Sequence, residues 1–118
     1  MKVAKLIAAS AVLATAVGCS SAKPPVPQAA GPVVEITIAK GAVTPTNATL
    51  TAKVNQPITL RVTSDADDEL HVHSTPDHEF EVKPEADQEF SFTVAVPGGV
   101  AVELHHLDRT VATIQVQP

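Results

Sequence analysis

The sequence predicts an all-β domain, an antiparallel Greek-key β-sandwich of about eight short strands. Apolar and polar residues alternate in short runs, as they do in half-buried strands, and no segment shows a helical period. Turn signals rich in Pro, Gly and Asn separate these runs at intervals of about eight to twelve residues. The 118-residue sequence has three Phe and no Trp or Tyr, so we expect a core built mainly from Val, Ile, Leu and Ala.

The first three strands are predicted by three alternating runs near the start of the domain. Residues 33–39 place three aliphatic side chains on one face, which indicates a half-buried strand. Residues 48–54 and 58–62 alternate in the same way, and residues 55–57 (Asn-Gln-Pro) form a tight turn signal between them. Because two alternating runs joined by a short turn favour a hairpin, we expect these two strands to pair with each other.

The remaining strands follow the same rule in the second half of the domain. In a short strand at residues 70–73, Leu70 and Val72 face inward, so His71 and His73 share the outer face. Further sets of inward-facing apolar residues predict four more strands, at residues 80–82, 90–96, 100–104 and 112–116. The last of these strands closes the predicted sandwich.

The first 18 residues are typical of a secretory signal sequence. A basic start, Met-Lys-Val-Ala-Lys, precedes an apolar run of about a dozen residues, which is shorter than the roughly 20 residues of a membrane-spanning helix. Residues 16–19 (Ala-Val-Gly-Cys) then resemble a bacterial lipobox, so we expect cleavage before Cys19 and lipidation of this residue, the only Cys in the sequence. The alternative is an ordinary signal sequence that is cleaved nearby and followed by a chance Cys.

These features divide the sequence into three parts. We expect a lipoprotein signal peptide at residues 1–18, a lipidated Cys with a Pro-rich tether at residues 19–32, and a folded domain at residues 33–118. Acyl chains on Cys19 would insert into membrane lipid, which is therefore the first expected partner. The predicted location is the extracytoplasmic side of the cell membrane, with the protein lipid-anchored.

The charge of the sequence is acidic and locally concentrated. The formal net charge is −5, and without Lys2 and Lys5 of the signal sequence six basic and thirteen acidic residues remain. Nucleic-acid binders need a basic face, so we expect no nucleic acid partner. Ten of the thirteen acidic residues lie within residues 65–89, and this acidic face could be simply solvated, concentrate cations or bind a protein. Weak Ca²⁺ binding by residues 65–69 also stays open, although an EF-hand loop needs a central Gly and a distant Glu in register.

The same acidic stretch holds three of the five histidines. His71 and His73 lie two residues apart on a strand, project the same way and can chelate one metal ion. His78 follows a Pro-Asp turn and can fold back toward them, while Asp77 or Glu79 can orient a ligand or bind the ion. Imidazole and carboxylate donors without sulfur suit Cu(II) or Zn(II). The sequence therefore predicts a copper or zinc site, and the alternative is a set of surface histidines without a ligand role.

Three segments resemble, in their order and spacing, the cupredoxin-like domains of bacterial exported lipoproteins. They are residues 41–45 (Gly-Ala-Val-Thr-Pro), 64–73 (Ser-Asp-Ala-Asp-Asp-Glu-Leu-His-Val-His) and 97–105 (Pro-Gly-Gly-Val-Ala-Val-Glu-Leu-His). The resemblance covers roughly residues 33–117 and implies a cupredoxin-like fold. It also implies that the loop after the strand of His71 and His73 and the loop after the penultimate strand lie at the same end of the domain. His105 or His106 can then approach His71 or His73.

The sequence departs from the blue-copper members of that family at the metal-binding residues. A blue-copper centre needs a Cys thiolate and two His, but the only Cys in the sequence is Cys19 and the only Met is Met1. The sequence also lacks a nucleophile elbow and a phosphate-binding Gly loop, so we expect no enzyme. The resemblance therefore supports the fold better than it supports an electron carrier.

Two hypotheses of function follow. The first is a membrane-anchored module that binds a divalent metal ion, with copper favoured, for sequestration or delivery. The candidate ligands are His71, His73, His78, His105 and His106. The alternative is a structural or protein-interaction domain displayed on the cell envelope, which binds a partner through its acidic face without any metal.

Overall fold

The computed structural model describes Gly18 and residues 29–118. The rest of the predicted signal sequence, the predicted lipidation site Cys19 and most of the predicted tether lie outside the described residues. Within the described part, no helix has the length and apolar character needed to cross a membrane.

The described residues form nine strands and no helix. The strands are β1 (Val33–Ala39), β2 (Ala42–Thr44), β3 (Ala48–Lys53), β4 (Ile58–Ser64), β5 (Asp68–His73), β6 (His78–Val82), β7 (Gln88–Phe92), β8 (Gly98–Leu104) and β9 (Arg109–Gln117). Buried and exposed residues alternate along most of them, as the sequence predicted. The short β2 is an additional strand, because the predicted set began its second strand only at residue 48.

The strands form two sheets that pack into a sandwich, so the predicted all-β class is confirmed. The four-stranded sheet has the order β2-β1-β4-β7, and the five-stranded sheet has the order β3-β9-β8-β5-β6. Both sheets are mixed rather than purely antiparallel, because β1 pairs parallel with β4 and β3 pairs parallel with β9. Parallel neighbours cannot be joined by a tight turn, and in both pairs the intervening chain passes through the other sheet.

The predicted hairpin between residues 48–54 and 58–62 is wrong. β3 lies in the five-stranded sheet and β4 in the four-stranded sheet, so the turn at Asn55 carries the chain across the sandwich. The backbone N–H of Asn55, whose φ is 60°, donates to Val94 O at 2.8 Å. Ala52 and Ile58, on the two sides of the turn, are both buried in the same core. Alternation alone cannot distinguish two strands that pair side by side from two strands that face each other.

The core lies between the two sheets and is mainly aliphatic, as expected from the composition. Its largest fully buried side chains come from both sheets and include Ile36, Ile58, Leu60, Leu70, Leu104 and Ile114. Val96, predicted to face inward, is instead 50% exposed. β7 ends at Phe92, so the alternation of a regular strand no longer fixes the direction of that side chain.

The outer face of the four-stranded sheet carries an ion-pair ladder. Glu35 of β1 and Glu89 of β7 lie on either side of Arg61 of β4 in the sheet register. The Arg61 guanidinium donates to Glu89 Oε1 from Nε at 3.0 Å and from Nη2 at 2.9 Å, and it also pairs with Glu35. The hydrogen bond to Glu89 and the negative charge of Glu35 raise the pKa of Arg61. The positive charge of Arg61 is therefore paired with two carboxylates of its own sheet.

The turn between β1 and β2 offers a test of backbone strain. Ala39 pairs with Ala42, which leaves Lys40 and Gly41 as a two-residue loop with φ values of 52° and 73°. Such a loop needs positive φ at both positions and strongly prefers Asn-Gly, whereas a Lys in this region is strained. We expect Lys40→Asn to raise the free energy of unfolding by about 0.5–1 kcal/mol, measured by chemical denaturation. Lys53→Asn, which removes the same charge from an exposed strand position, should bring no gain; an equal gain would contradict the strain argument.

Candidate metal centre

The candidate site lies on the outer face of the five-stranded sheet, along β5. Leu70 and Val72 are fully buried in the core, so His71 and His73 project from the opposite face, as the sequence predicted. The His71 side chain is only 16% exposed, while that of His73 is 45% exposed. The difference arises because more side chains surround His71.

The strands on either side of β5 bring carboxylates to this face. Glu79 of β6 and Glu103 of β8 both lie directly opposite His71 in the register. Residues that face each other across neighbouring strands share one face of the sheet. The histidine pair therefore lies between two acidic strands.

His71 is the centre of the cluster. Its ring centroid lies 3.9 Å from that of His73, and its Nε2 lies 2.9 Å from Asp77 Oδ1 and 4.0 Å from Glu79 Oε1. Its other nitrogen, Nδ1, lies 3.1 Å from His105 Nε2. One donor atom each of His71, His73 and Asp77 lie within 4.8 Å of one another. This is a set of atoms that a single metal ion could contact.

His105 reaches the cluster by a route other than the one the resemblance implied. β5 and β8 are antiparallel, so the loops that follow them lie at opposite ends of the sheet, and the expectation of a shared end is wrong. His105 follows the last residue of β8, and its N–H donates to Glu69 O at 3.0 Å. This position is beside the start of β5, which brings the imidazole next to His71, two residues further along the same face.

Two of the five candidate histidines lie away from the cluster. His78 is opposite Val72 in the register, so its side chain belongs to the inner face of the sheet. Its ring stacks on Phe80 with centroids 6.0 Å apart, and its Nε2 lies 3.3 Å from Thr93 O. His106 points the other way from His105, and its Nδ1 lies 3.2 Å from Asp67 O. The expected folding back of His78 fails because β6 fixes the parity of its side chains.

Asp68 is a residue whose role the sequence reasoning missed. It was counted with the acidic face, yet it is only 4% exposed. Its Oδ1 accepts hydrogen bonds from the N–H groups of Glu69 and His106, at 2.7 and 2.9 Å, and its Oδ2 accepts one from Leu107 at 3.2 Å. The signal was present in the spacing, because Asp68 has the same strand parity as Leu70. Its carboxylate fixes the turn that carries His105.

Glu69 and Glu103 were also missed as parts of the site. Glu103 Oε2 lies 2.9 Å from His73 Nε2, and Glu69 Oε1 lies 2.8 Å from His105 Nδ1. The sequence gives no signal for these contacts, because they depend on the register between β5 and β8. Each of the three clustered imidazoles therefore contacts a carboxylate.

The donor set fits a divalent transition metal. Two nitrogens bound to one ion at ~2.0–2.1 Å each lie roughly 2.8–3.4 Å apart for angles between a right angle and a tetrahedral angle. The separation of 3.1 Å between His71 Nδ1 and His105 Nε2 falls within this range. Imidazole and carboxylate donors without a thiolate suit Cu(II) and Zn(II). The distance between these two nitrogens therefore fits a shared ion.

Comparison with solved structures places this sandwich in the cupredoxin-like fold class. An oxidised amicyanin variant is 18% identical, with 71% of this chain and 81% of that chain covered and a TM-score of 0.50. The multicopper oxidase Fet3p, described as functioning in iron import, is 10% identical with a TM-score of 0.55; 73% of this chain covers 23% of that chain. Another amicyanin variant, in its Cu(I) form, has a TM-score of 0.48 at 17% identity, with 72% and 82% of the two chains covered.

These likenesses confirm the predicted cupredoxin-like fold and nothing finer, because the identities are low. No protein-family model matches the sequence. No curated protein matches it either.

Proposed function

We propose that this protein binds a divalent metal ion, with copper favoured, at the histidine cluster of β5, and that it serves sequestration or delivery. The observation that carries the proposal is the convergence of donor atoms from His71, His73 and Asp77 within 4.8 Å, with His105 beside His71. Three of the five candidate histidines belong to this cluster. His78 and His106 have no part in the proposed site.

Copper is favoured by the donor chemistry and by the fold. Nitrogen and oxygen donors suit both Cu(II) and Zn(II), and at sites of similar geometry Cu(II) is bound more tightly. One structural neighbour is a multicopper oxidase, which supports copper as the ion. A blue-copper electron carrier is not proposed, because the sequence offers no Cys apart from Cys19. We propose no enzymatic activity.

The proposed location is the extracytoplasmic side of the cell membrane. Its support comes from the sequence: a signal-like segment at residues 1–18, and Cys19 in a lipobox-like context. Acyl chains on Cys19 would anchor the protein, and the Pro-rich tether would hold the domain away from the lipid. The metal site would then be displayed outside the cytoplasm.

One observation favours the second candidate function, a protein-interaction domain. Glu69 and Glu81 lie directly opposite each other on β5 and β6, and like charges in this position are destabilising. A basic segment of a partner protein would relieve that repulsion. Asp68 is not available for such contacts because it is buried.

Calorimetric titration of residues 24–118 with Cu(II) and with Zn(II), without added histidines, tests the proposed function. We expect one equivalent to bind with a micromolar or tighter dissociation constant, and binding to be lost below about pH 5.5 because protons compete for the imidazole nitrogens. If neither ion showed saturable binding, the metal-binding function would be overturned, and the protein-interaction domain would remain as the proposed function.

A further inference from the structure

We propose that three carboxylates select which nitrogen of each imidazole binds the metal ion. The centre would contain three imidazoles, each bound to the ion through one nitrogen and held by a carboxylate through the other. The inferred ligand atoms are His71 Nδ1, His105 Nε2 and His73 Nδ1, and their positioning partners are Asp77, Glu69 and Glu103 respectively. This inference rests on the metal-binding function proposed above.

The pair formed by His71 and His105 carries the argument furthest. The carboxylate of Asp77 can only accept a hydrogen bond, so its 2.9 Å contact assigns a proton to His71 Nε2. The 2.8 Å contact of Glu69 with His105 Nδ1 assigns a proton to that nitrogen in the same way. The lone pairs of His71 Nδ1 and His105 Nε2 then remain, and these are the atoms that lie 3.1 Å apart.

A separation of 3.1 Å between His71 Nδ1 and His105 Nε2 fits a hydrogen bond, and it also fits two nitrogens bound to one metal ion. In the metal-free protein, a hydrogen bond between the two nitrogens requires one additional proton between the rings. A divalent ion can replace that proton, since ligand nitrogens of one ion lie roughly 2.8–3.4 Å apart. The two carboxylates would hold the protonated nitrogen of each ring before and after binding.

His73 completes the set from the neighbouring position on β5. Glu103 Oε2 lies 2.9 Å from its Nε2, so a proton is assigned there and Nδ1 keeps the lone pair. The other carboxylate oxygen of Glu103, Oε1, lies 3.5 Å from Thr110 Oγ1. The ring of His73 lies 3.9 Å from that of His71, centroid to centroid, and its side chain would rotate to bring Nδ1 to the pair.

The alternative is that Asp77 is itself a ligand. In that arrangement the ion would bind His71 through Nε2, on the side of the ring that faces Asp77. His105 would then be left out, because it contacts the opposite nitrogen of His71. The two arrangements differ in the nitrogen of His71 that carries the metal, which can be measured directly.

Long-range ¹H–¹⁵N correlation spectra of the histidine rings, recorded on the metal-free and the Zn(II)-loaded protein, test the inference. We expect Zn(II) to shift the resonances of His71 Nδ1, His105 Nε2 and His73 Nδ1 as bound nitrogens, while the other nitrogen of each ring stays protonated. Binding through His71 Nε2, or a His105 ring that Zn(II) leaves unchanged, would overturn this inference while the proposed function stands. If Zn(II) changed none of the five rings and calorimetry also found no binding of Cu(II), the proposed function would be overturned as well.

A matched pair of variants separates positioning from charge. Glu103→Val removes the partner of His73, whereas Glu81→Val removes one charge from the same face, and no described hydrogen bond joins Glu81 to a histidine. We expect Glu103→Val to mix the two tautomers of His73 and to lower Zn(II) affinity by about 10–100-fold. Glu103→Gln, whose amide oxygen can still accept from Nε2, should keep the tautomer of His73. Equal losses of affinity for Glu103→Val and Glu81→Val, with His73 unchanged, would overturn the positioning role.

Discussion

Replacing both His71 and His73 with alanine is expected to lower the affinity for Cu(II) or Zn(II) by at least about 100-fold. This loss is larger than the loss of affinity that usually follows removal of a residue that only hydrogen-bonds to a metal ligand. The reason is geometric, since these two residues supply both strand-borne nitrogens of the cluster. Both side chains project outward from β5, so their loss leaves the core untouched. Calorimetric titration of the double variant, after thermal unfolding has shown that it is folded, measures the effect.

The matched control is the double variant His78→Ala and His106→Ala. It removes the same number of imidazoles, but from positions outside the cluster, at Phe80 and at Asp67 O. We expect its metal affinity to stay within about threefold of the parent, because distant substitutions seldom change a site. If both double variants lost affinity equally, the ion would be bound by dispersed histidines and not by the cluster.

The strands could be predicted from the sequence because burial on a strand repeats every two residues. Val34, Ile36 and Ile38 show this on β1, where all three are buried and the residues between them are exposed. The assignment of strands to sheets could not be predicted in the same way. The turn at Asn55 joins two sheets instead of closing a hairpin, since the alternating pattern records only which face is apolar.

The candidate site, like the fold, could be predicted from the sequence only in part. The shared face of His71 and His73 follows from strand parity alone, and the parity of Asp68 with Leu70 would have shown that this acid is buried. The contact between His105 and His71 depends on the antiparallel register of β5 and β8, which no local pattern encodes. Strand parity thus determines which residues of β5 share the outer face, while the register between strands determines which residues of the neighbouring strands lie beside them.

The second large effect is expected for Asp68→Ala, which should lower the free energy of unfolding by about 3 kcal/mol or more. The buried carboxylate accepts hydrogen bonds from the N–H groups of Glu69, His106 and Leu107. Hydrogen bonds to a charged group contribute about 1.5–3 kcal/mol each, and donors left buried without an acceptor cost a similar amount. Urea denaturation measures the change.

Asp68→Ala should also disturb the metal site, because the turn held by Asp68 carries His105 to its place beside His71.

Asp67→Ala is the matched control for stability. Asp67 is the exposed neighbour of Asp68, and we expect its loss to change the free energy of unfolding by less than about 0.5 kcal/mol. Asp68→Asn keeps one acceptor oxygen but places an amide donor near the other N–H group, so an intermediate loss is expected. Equal stability of the Asp67→Ala and Asp68→Ala variants would mean that the turn is held by the contacts of its other residues and that Asp68 does not position His105.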